Sequence, residues 1–116
     1  EMCIRDSYIF EAPIDLLSYI SLHPGNWQKH NYVACCGTSS IPVLEMVQQF
    51  PQLRQVYLCL DNDDAGHFAS DRMVGLLKEH GLNAVRLVPQ RKDWNDDLTA
   101  DQEIENGRSD LCQTFC

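Results

Sequence analysis

The chain has 116 residues, 44% of them hydrophobic, which is enough for one folded domain with a single core and too little for two. Seventeen acids against nine Lys and Arg give a net charge of −8 and a pI near 4.7, which excludes a domain that grips a phosphate backbone by charge alone but suits clustered carboxylates meeting a cation. The longest apolar run is far too short to cross a bilayer, no stretch reads as a secretory signal, and the six cysteines show no Cys-x-x-Cys zinc spacing. No membrane association and a reduced, cytoplasmic setting are therefore expected.

Residues 1–7 carry neither a period nor turn chemistry. Met2 to Ser7 also matches the translated end sequence of a transposase used to prepare sequencing libraries, so residues 1–7 are expected to be a non-native or disordered segment, with the true protein extending upstream. Tyr8-Ile9-Phe10 predicts a short first strand that runs into Glu11. Pro13 suits a first helical turn, where its missing N–H is no loss, and Ile14, Leu17 and Ile20 recur at helical spacing, with Leu16 and Tyr19 beside them, until His23-Pro24-Gly25. Asp15 lies one turn beyond Glu11, either facing the same cavity or exposed on the helix.

Tyr32 to Cys36 is a second buried-strand candidate, with Cys35 and Cys36 as small core residues. Gly37-Thr38-Ser39-Ser40 then reads as a tight loop in which Ser39 or Ser40 caps a helix carrying Val43, Leu44, Met46, Val47 and Phe50. The third strand, Val56 to Leu60, is a continuous apolar run of the kind buried on both faces of a parallel sheet, and it leads directly into Asp61-Asn62-Asp63-Asp64. On an extended backbone Asp61 and Asp63 project to the same side and can share a cation, whereas Asp64 suits a helix start. After Gly66 a helix is expected through Phe68, Met73, Leu76 and Leu77, with Gly81 as its left-handed cap. Ala84 to Val88 is the fourth strand. The polar segment Gln90 to Leu98 follows, then a helix from Thr99 to Asn106 and a tail of little pattern, in which a Cys112–Cys116 disulfide has nothing to recommend it. His23, His30, His67 and His80 lack ligand spacing and read as surface or cap residues.

The order βαβαβαβ implies an α/β fold of about four parallel strands, with helices on both faces and every strand-end loop on one edge. In such sheets that edge is where ligands bind.

Four of those loops together resemble the Toprim domain, shared by bacterial primases, topoisomerases, OLD-family nucleases and RecR proteins. Its signature is an acid after the first strand and an Asp-x-Asp after the third, which Glu11 and Asp61-Asn62-Asp63 match. The primase branch resembles this chain further. Asp15 stands four residues after Glu11, Gly37-Thr38 follows the second strand, Asp61 to Gly66 reads Asp-x-Asp-x-Ala-Gly, and Lys92-Asp93-Trp94-Asn95-Asp96 approximates a late Lys/His-Asp-Pro-Asp motif. Ala12 replaces a usual glycine and Trp94-Asn95 a usual Pro-Asp, departures that resemble Toprim-like domains of phage and mobile-element proteins. The resemblance covers residues 8–98 as a Toprim (Rossmann-like) domain and leaves 99–116 as a helix and tail truncated from a longer protein.

What the resemblance implies is Mg²⁺- or Mn²⁺-dependent nucleotidyl transfer on DNA, in replication or mobile-element transfer. Asp61 and Asp63 are expected to hold the metal, with Asp15 and Asp93 at a second or looser site, and Glu11 to act as a ligand or as a general acid/base. Lys92 is either an exposed charge or a phosphate contact, Gly37 and Thr38 either shape the site or serve only the turn, and Trp94 either stacks on a base or packs over the sheet edge. So few basic residues imply that DNA and NTPs are held largely by further domains. An OLD-like nuclease uses the same acids to cut, a RecR-like module keeps the fold without catalysis, and a topoisomerase needs a tyrosine that Tyr8, Tyr19, Tyr32 and Tyr57, in core elements, are poorly placed to supply.

Overall fold

The computed structural model describes residues 5–115, with side chains through Ile104. Four strands, β1 (Asp6–Phe10), β2 (Asn31–Ala34), β3 (Gln55–Leu58) and β4 (Asn83–Arg86), form one parallel sheet in the order β2-β1-β3-β4. Four helices accompany them: α1 (Pro13–Leu22), α2 (Ile41–Gln49), α3 (Asp64–Glu79) and α4 (Trp94–Phe115). The α/β architecture expected from the strand–helix alternation is thus the one observed.

Successive side chains on a strand point to opposite faces, and the two faces here hold two different cores. Ile9, Val56 and Leu58 pack with Val43 and Met46 of α2 and with Ala69, Met73 and Leu77 of α3. Phe10, Tyr8, Tyr57 and Cys59 pack instead with Leu16, Tyr19 and Leu22 of α1 and Trp94 of α4. The strand register sets Tyr32, Tyr8 and Tyr57 side by side, and their rings stack at centroid distances of 5.4 and 4.7 Å. Each fully buried aliphatic side chain contributes roughly 1.5–3 kcal/mol, so this double-sided burial is what holds the central strands β1 and β3.

The order β2-β1-β3-β4 has one functional consequence. The chain leaves β1 for β2 on one side and returns for β3 on the other, so the C-terminal ends of β1 and β3 flank a topological switch point. Glu11 follows β1 directly, and the acids after β3 face the same crevice.

Several expectations are corrected. β1 begins at Asp6, and Ser7 is fully buried with its hydroxyl donating to Met46 Sδ at 2.9 Å, so residues 6 and 7 belong to the sheet. β3 ends at Leu58; the chain makes one more sheet-like bond, Cys59 N–H to the Ile9 carbonyl at 2.7 Å, and then turns, so Asp61 and Asp63 lie in the β3–α3 turn and not on a strand. Helix α3 starts at Asp64, placing Gly66 in its first turn. Helix α4 starts at Trp94, not Thr99, because the Asp93 carboxylate caps it by accepting from the Asp96 N–H at 2.8 Å; the Thr99 hydroxyl donates back to the Asn95 carbonyl inside the helix.

The inward face of α1 carries Asp15, Leu16, Ser18 and Tyr19, leaving Ile14 and Leu17 more than half exposed, since α4 packs on that side and Ser18 hydrogen-bonds to Asn95. Phe68 of α3 is 72% exposed. Cys36, expected in the core, is exposed in a left-handed turn with φ 55°, while Cys35 and Cys59 are buried. Ser39, rather than Ser40, accepts from the Ile41 N–H at the start of α2. Gly81 ends α3 as expected, with φ 78° and the bonds Gly81 N–H to Lys78 carbonyl and Leu82 N–H to Leu77 carbonyl. Cys3, Cys112 and Cys116 lie outside the residues whose side chains are described.

Candidate active site

The switch-point crevice is built by three short turns. After β1, Glu11 turns its carboxylate across to β3, where Oε1 accepts the Asp61 N–H at 3.3 Å. After β2, the Gly37 N–H donates to the Glu11 carbonyl at 2.9 Å, and Thr38 gives its carbonyl to Arg72 of α3 at 2.6 Å. The Gly-Thr loop is therefore tied to the acids through backbone.

After β3 the chain folds back so tightly that Gly66 lies against Asp61. A Cβ at position 66 would collide with the Asp61 carbonyl, so only glycine permits this turn. Asp63 adopts an extended backbone and caps α3, its Oδ1 accepting the Gly66 N–H at 2.7 Å, which leaves Oδ2 for other partners. Asp61 Oδ1 is buried with no hydrogen-bond partner.

Burial, and then the neighbouring carboxylates, raise Glu11, Asp15 and Asp61. Burial first, then repulsion from Glu11, Asp63 and Asp93, pushes the Asp61 carboxyl from its ordinary 3.8 up to about 6, with Lys92 acting the other way. Burial also lifts Glu11, against the Asp61 N–H that favours its charge, and Asp63 and Asp15 add repulsion. Asp15, only 3% exposed, lies toward α4: its Oδ1 accepts the Asn95 N–H at 3.3 Å, and burial with repulsion from Asp93, Asp61 and Asp96 raises it to about 6.

Glu11, Asp61 and Asp63 thus form one group at the switch point. Asp15 and Asp93 form a second at the α1–α4 junction, electrostatically joined to the first through Asp61. Among the described residues no three His, Cys, Asp or Glu side chains converge as a ready-made metal site. Lys92 is exposed, and its carbonyl accepts the Asn62 N–H at 2.6 Å. Trp94 is buried, its indole N–H donating to the Cys59 carbonyl at 3.0 Å and its ring meeting Tyr19 edge-on, so it packs over the sheet end and is not free to stack on a base.

One residue at this site escaped the sequence reading. Arg86, the last of β4, reaches under the β3–α3 turn and donates to the Asp61 carbonyl at 2.9 Å and the Gly66 carbonyl at 3.0 Å. The signal was present: a charged residue in the otherwise apolar run Ala84 to Val88 needs buried partners.

The donor set is all hard oxygen. Mg²⁺ usually takes one or two carboxylates and completes its shell with water and substrate phosphate, so the crowded acids and the unpartnered Asp61 oxygen fit such an ion without a third side chain.

Comparison with known proteins bears on which site this is. The primase fragment of the bacteriophage T7 primase-helicase protein has a similar fold at 24% identity and TM-score 0.63, covering 88% of this chain and 43% of its own. A chain from the bacteriophage T7 lagging-strand DNA polymerase interacting with primase domains of two gp4 subunits, bound to an RNA/DNA hybrid and dTTP, does so at 22% identity and TM-score 0.63, covering 90% of this chain and 52% of its own. This chain thus spans about half or less of either, and at these identities the likeness establishes the fold. A search of curated protein sequences returned no match. The Toprim-like family profile matches residues 8–98, from the first strand into the last helix and across all five candidate acids, and the chain belongs to the Toprim-like family.

Proposed function

We propose that this chain is the catalytic Toprim domain of a DNA primase-like protein, performing Mg²⁺- or Mn²⁺-dependent nucleotidyl transfer. The observation that carries this reading is the buried, unpartnered Oδ1 of Asp61, set with Glu11 and Asp63 at the switch point, where burial and the neighbouring carboxylates raise Asp61 and a cation would relieve it. Asp61 and Asp63, the latter through its free oxygen, would hold the metal, with Asp15 and Asp93 at a looser second position. When bound, a divalent cation there neutralises phosphate charge and orients the transferring group.

Glu11 is the proton carrier in this scheme. Its carboxyl is raised by burial yet fixed by the Asp61 N–H, so it is oriented toward the crevice and suited to take a proton from an attacking hydroxyl. Lys92 is exposed beside Asp61 and available to a phosphate oxygen, Gly37 braces the Glu11 backbone, and Thr38 ties the same loop to Arg72 of α3. The tyrosines do not suit strand transfer: Tyr8 is pushed up to about 12, first by burial and then by Tyr57 and Tyr32, which disfavours a phenolate nucleophile. DNA and NTPs are the partners, held largely by further domains of a longer protein, a reading supported by the primase domains, RNA/DNA hybrid and dTTP of the structural neighbours and by the net charge of −8.

The test is primer synthesis from NTPs on single-stranded DNA by the full-length protein, with Mg²⁺ or Mn²⁺. Glu11→Gln is expected to lose about 10²–10⁴-fold in rate and Asp61→Asn at least as much. Full activity in both variants sinks the assignment, and metal-dependent nicking in place of synthesis reassigns the same acids to cutting.

A further inference from the structure

We propose that Arg86 is a positioning residue that fixes the acid turn from Asp61 to Gly66, acting on its backbone and not as a counter-charge to its carboxylates. The inference rests on the reading that these acids are the working groups of the site.

The geometry is a fork. Arg86 Nη2 donates to the Asp61 carbonyl at 2.9 Å and to His67 Nδ1 at 2.9 Å, while Nη1 donates to the Gly66 carbonyl at 3.0 Å and to the Ser70 hydroxyl. Ser70, fully buried, donates its own hydroxyl to the Gly66 carbonyl at 2.7 Å, which closes the network. A guanidinium has donors only, so His67 Nδ1 accepts and its ring proton sits on Nε2. One side chain thus ties the entry of the turn, at Asp61, to the first turn of α3, at Gly66 and His67.

Every one of these acceptors is a carbonyl, a hydroxyl or a ring nitrogen, and none is a carboxylate. Arg86 Nε is buried without a partner, a cost the fold carries for the sake of the fork. The turn is also held by the Asp61 N–H on Glu11, by Asn62 on the Lys92 and Pro89 carbonyls and by the Asp63 cap, but among the described bonds only those of Arg86 join the Asp61 carbonyl to the first turn of α3. Lysine keeps the charge but not the planar fork, so the two roles are separable.

The experiment uses the full-length protein and its Arg86→Lys variant. Backbone amide hydrogen exchange is measured without metal, and Mn²⁺ binding by electron paramagnetic resonance. Exchange at the amides of residues 61–66 is expected to rise about tenfold in Arg86→Lys, as for loss of a charge-assisted hydrogen bond, with the amides of β2 and α2 unchanged. Mn²⁺ affinity should fall by about 10–100-fold. Ser70→Ala, a milder change to the same network, should raise exchange at the same amides by a smaller factor, and it serves if Arg86→Lys fails to fold. Wild-type exchange at residues 61–66 in the variants, or a rise spread evenly over the domain, overturns the proposal. If the wild type itself binds no Mn²⁺, the metal reading fails, and the exchange measurement still decides the role of Arg86.

Discussion

Replacing Asp61 by Asn should make the metal-free protein more stable at neutral pH while removing its response to metal. Asp61 Oδ1 has no hydrogen-bond partner to lose, and Asn is nearly isosteric with the protonated acid. The rise of its carboxyl from 3.8 to about 6 corresponds to about 3 kcal/mol at ~1.4 kcal/mol per pH unit, and solvent screening of this partly exposed group lowers that to about 1–2 kcal/mol. A folded-state value above the unfolded one means that the fold favours the proton. Wild-type stability from this group is therefore full below about pH 4 and is lost as pH rises toward about 6. The advantage of Asp61→Asn opens over that same window and is absent below it. For a domain of this size the gain is roughly 3–10 °C in melting temperature, read in EDTA from pH 4 to 8. Mg²⁺ or Mn²⁺ should then stabilise the wild type and leave the variant unmoved. An Asp61→Asn protein no more stable than wild type at pH 7.5, or a difference that does not shrink toward pH 4, refutes the charge-crowding argument.

Three further outcomes follow from single contacts. Gly66→Ala drives a methyl group into the Asp61 carbonyl and is expected to destabilise by about 3 kcal/mol or more, measured by urea unfolding, with loss of Mn²⁺ binding. Asp63→Asn keeps the cap of α3 and removes the charge, so stability should stay within about 0.5 kcal/mol while activity is lost; Asp63→Ala loses both, at about 1 kcal/mol. Trp94→Phe retains most of the packing but orphans the buried Cys59 carbonyl, at about 1–3 kcal/mol, and primer synthesis by the folded fraction should persist because this ring is not a base platform.

The alternation of strands and helices, the parallel sheet, and the edge on which Glu11, Asp61, Asp63 and Asp93 would gather were all legible in the local pattern of residues. Those properties follow from local apolar runs and from the rule that parallel strands put their exit loops on one side. Local patterning was blind to whatever depends on a partner distant in sequence. Ile14 and Leu17 hold the helical period of α1 yet face outward, because α4 claims the side carrying Asp15 and Ser18. Helix α4 begins five residues earlier than its Thr99 signal, because Asp93 is drawn into the cap and Trp94 into the core under Cys59.

The order β2-β1-β3-β4 is likewise a tertiary property: the same alternation allows others, and it is the pairing of β1 with β3 that sets Glu11 beside Asp61 across the switch point. Arg86 shows the limit most plainly. Its place in an apolar strand was visible, but its role depends on Asp61, Gly66, His67 and Ser70, brought to it only when β4 lies beside β3 and α3 folds back over both.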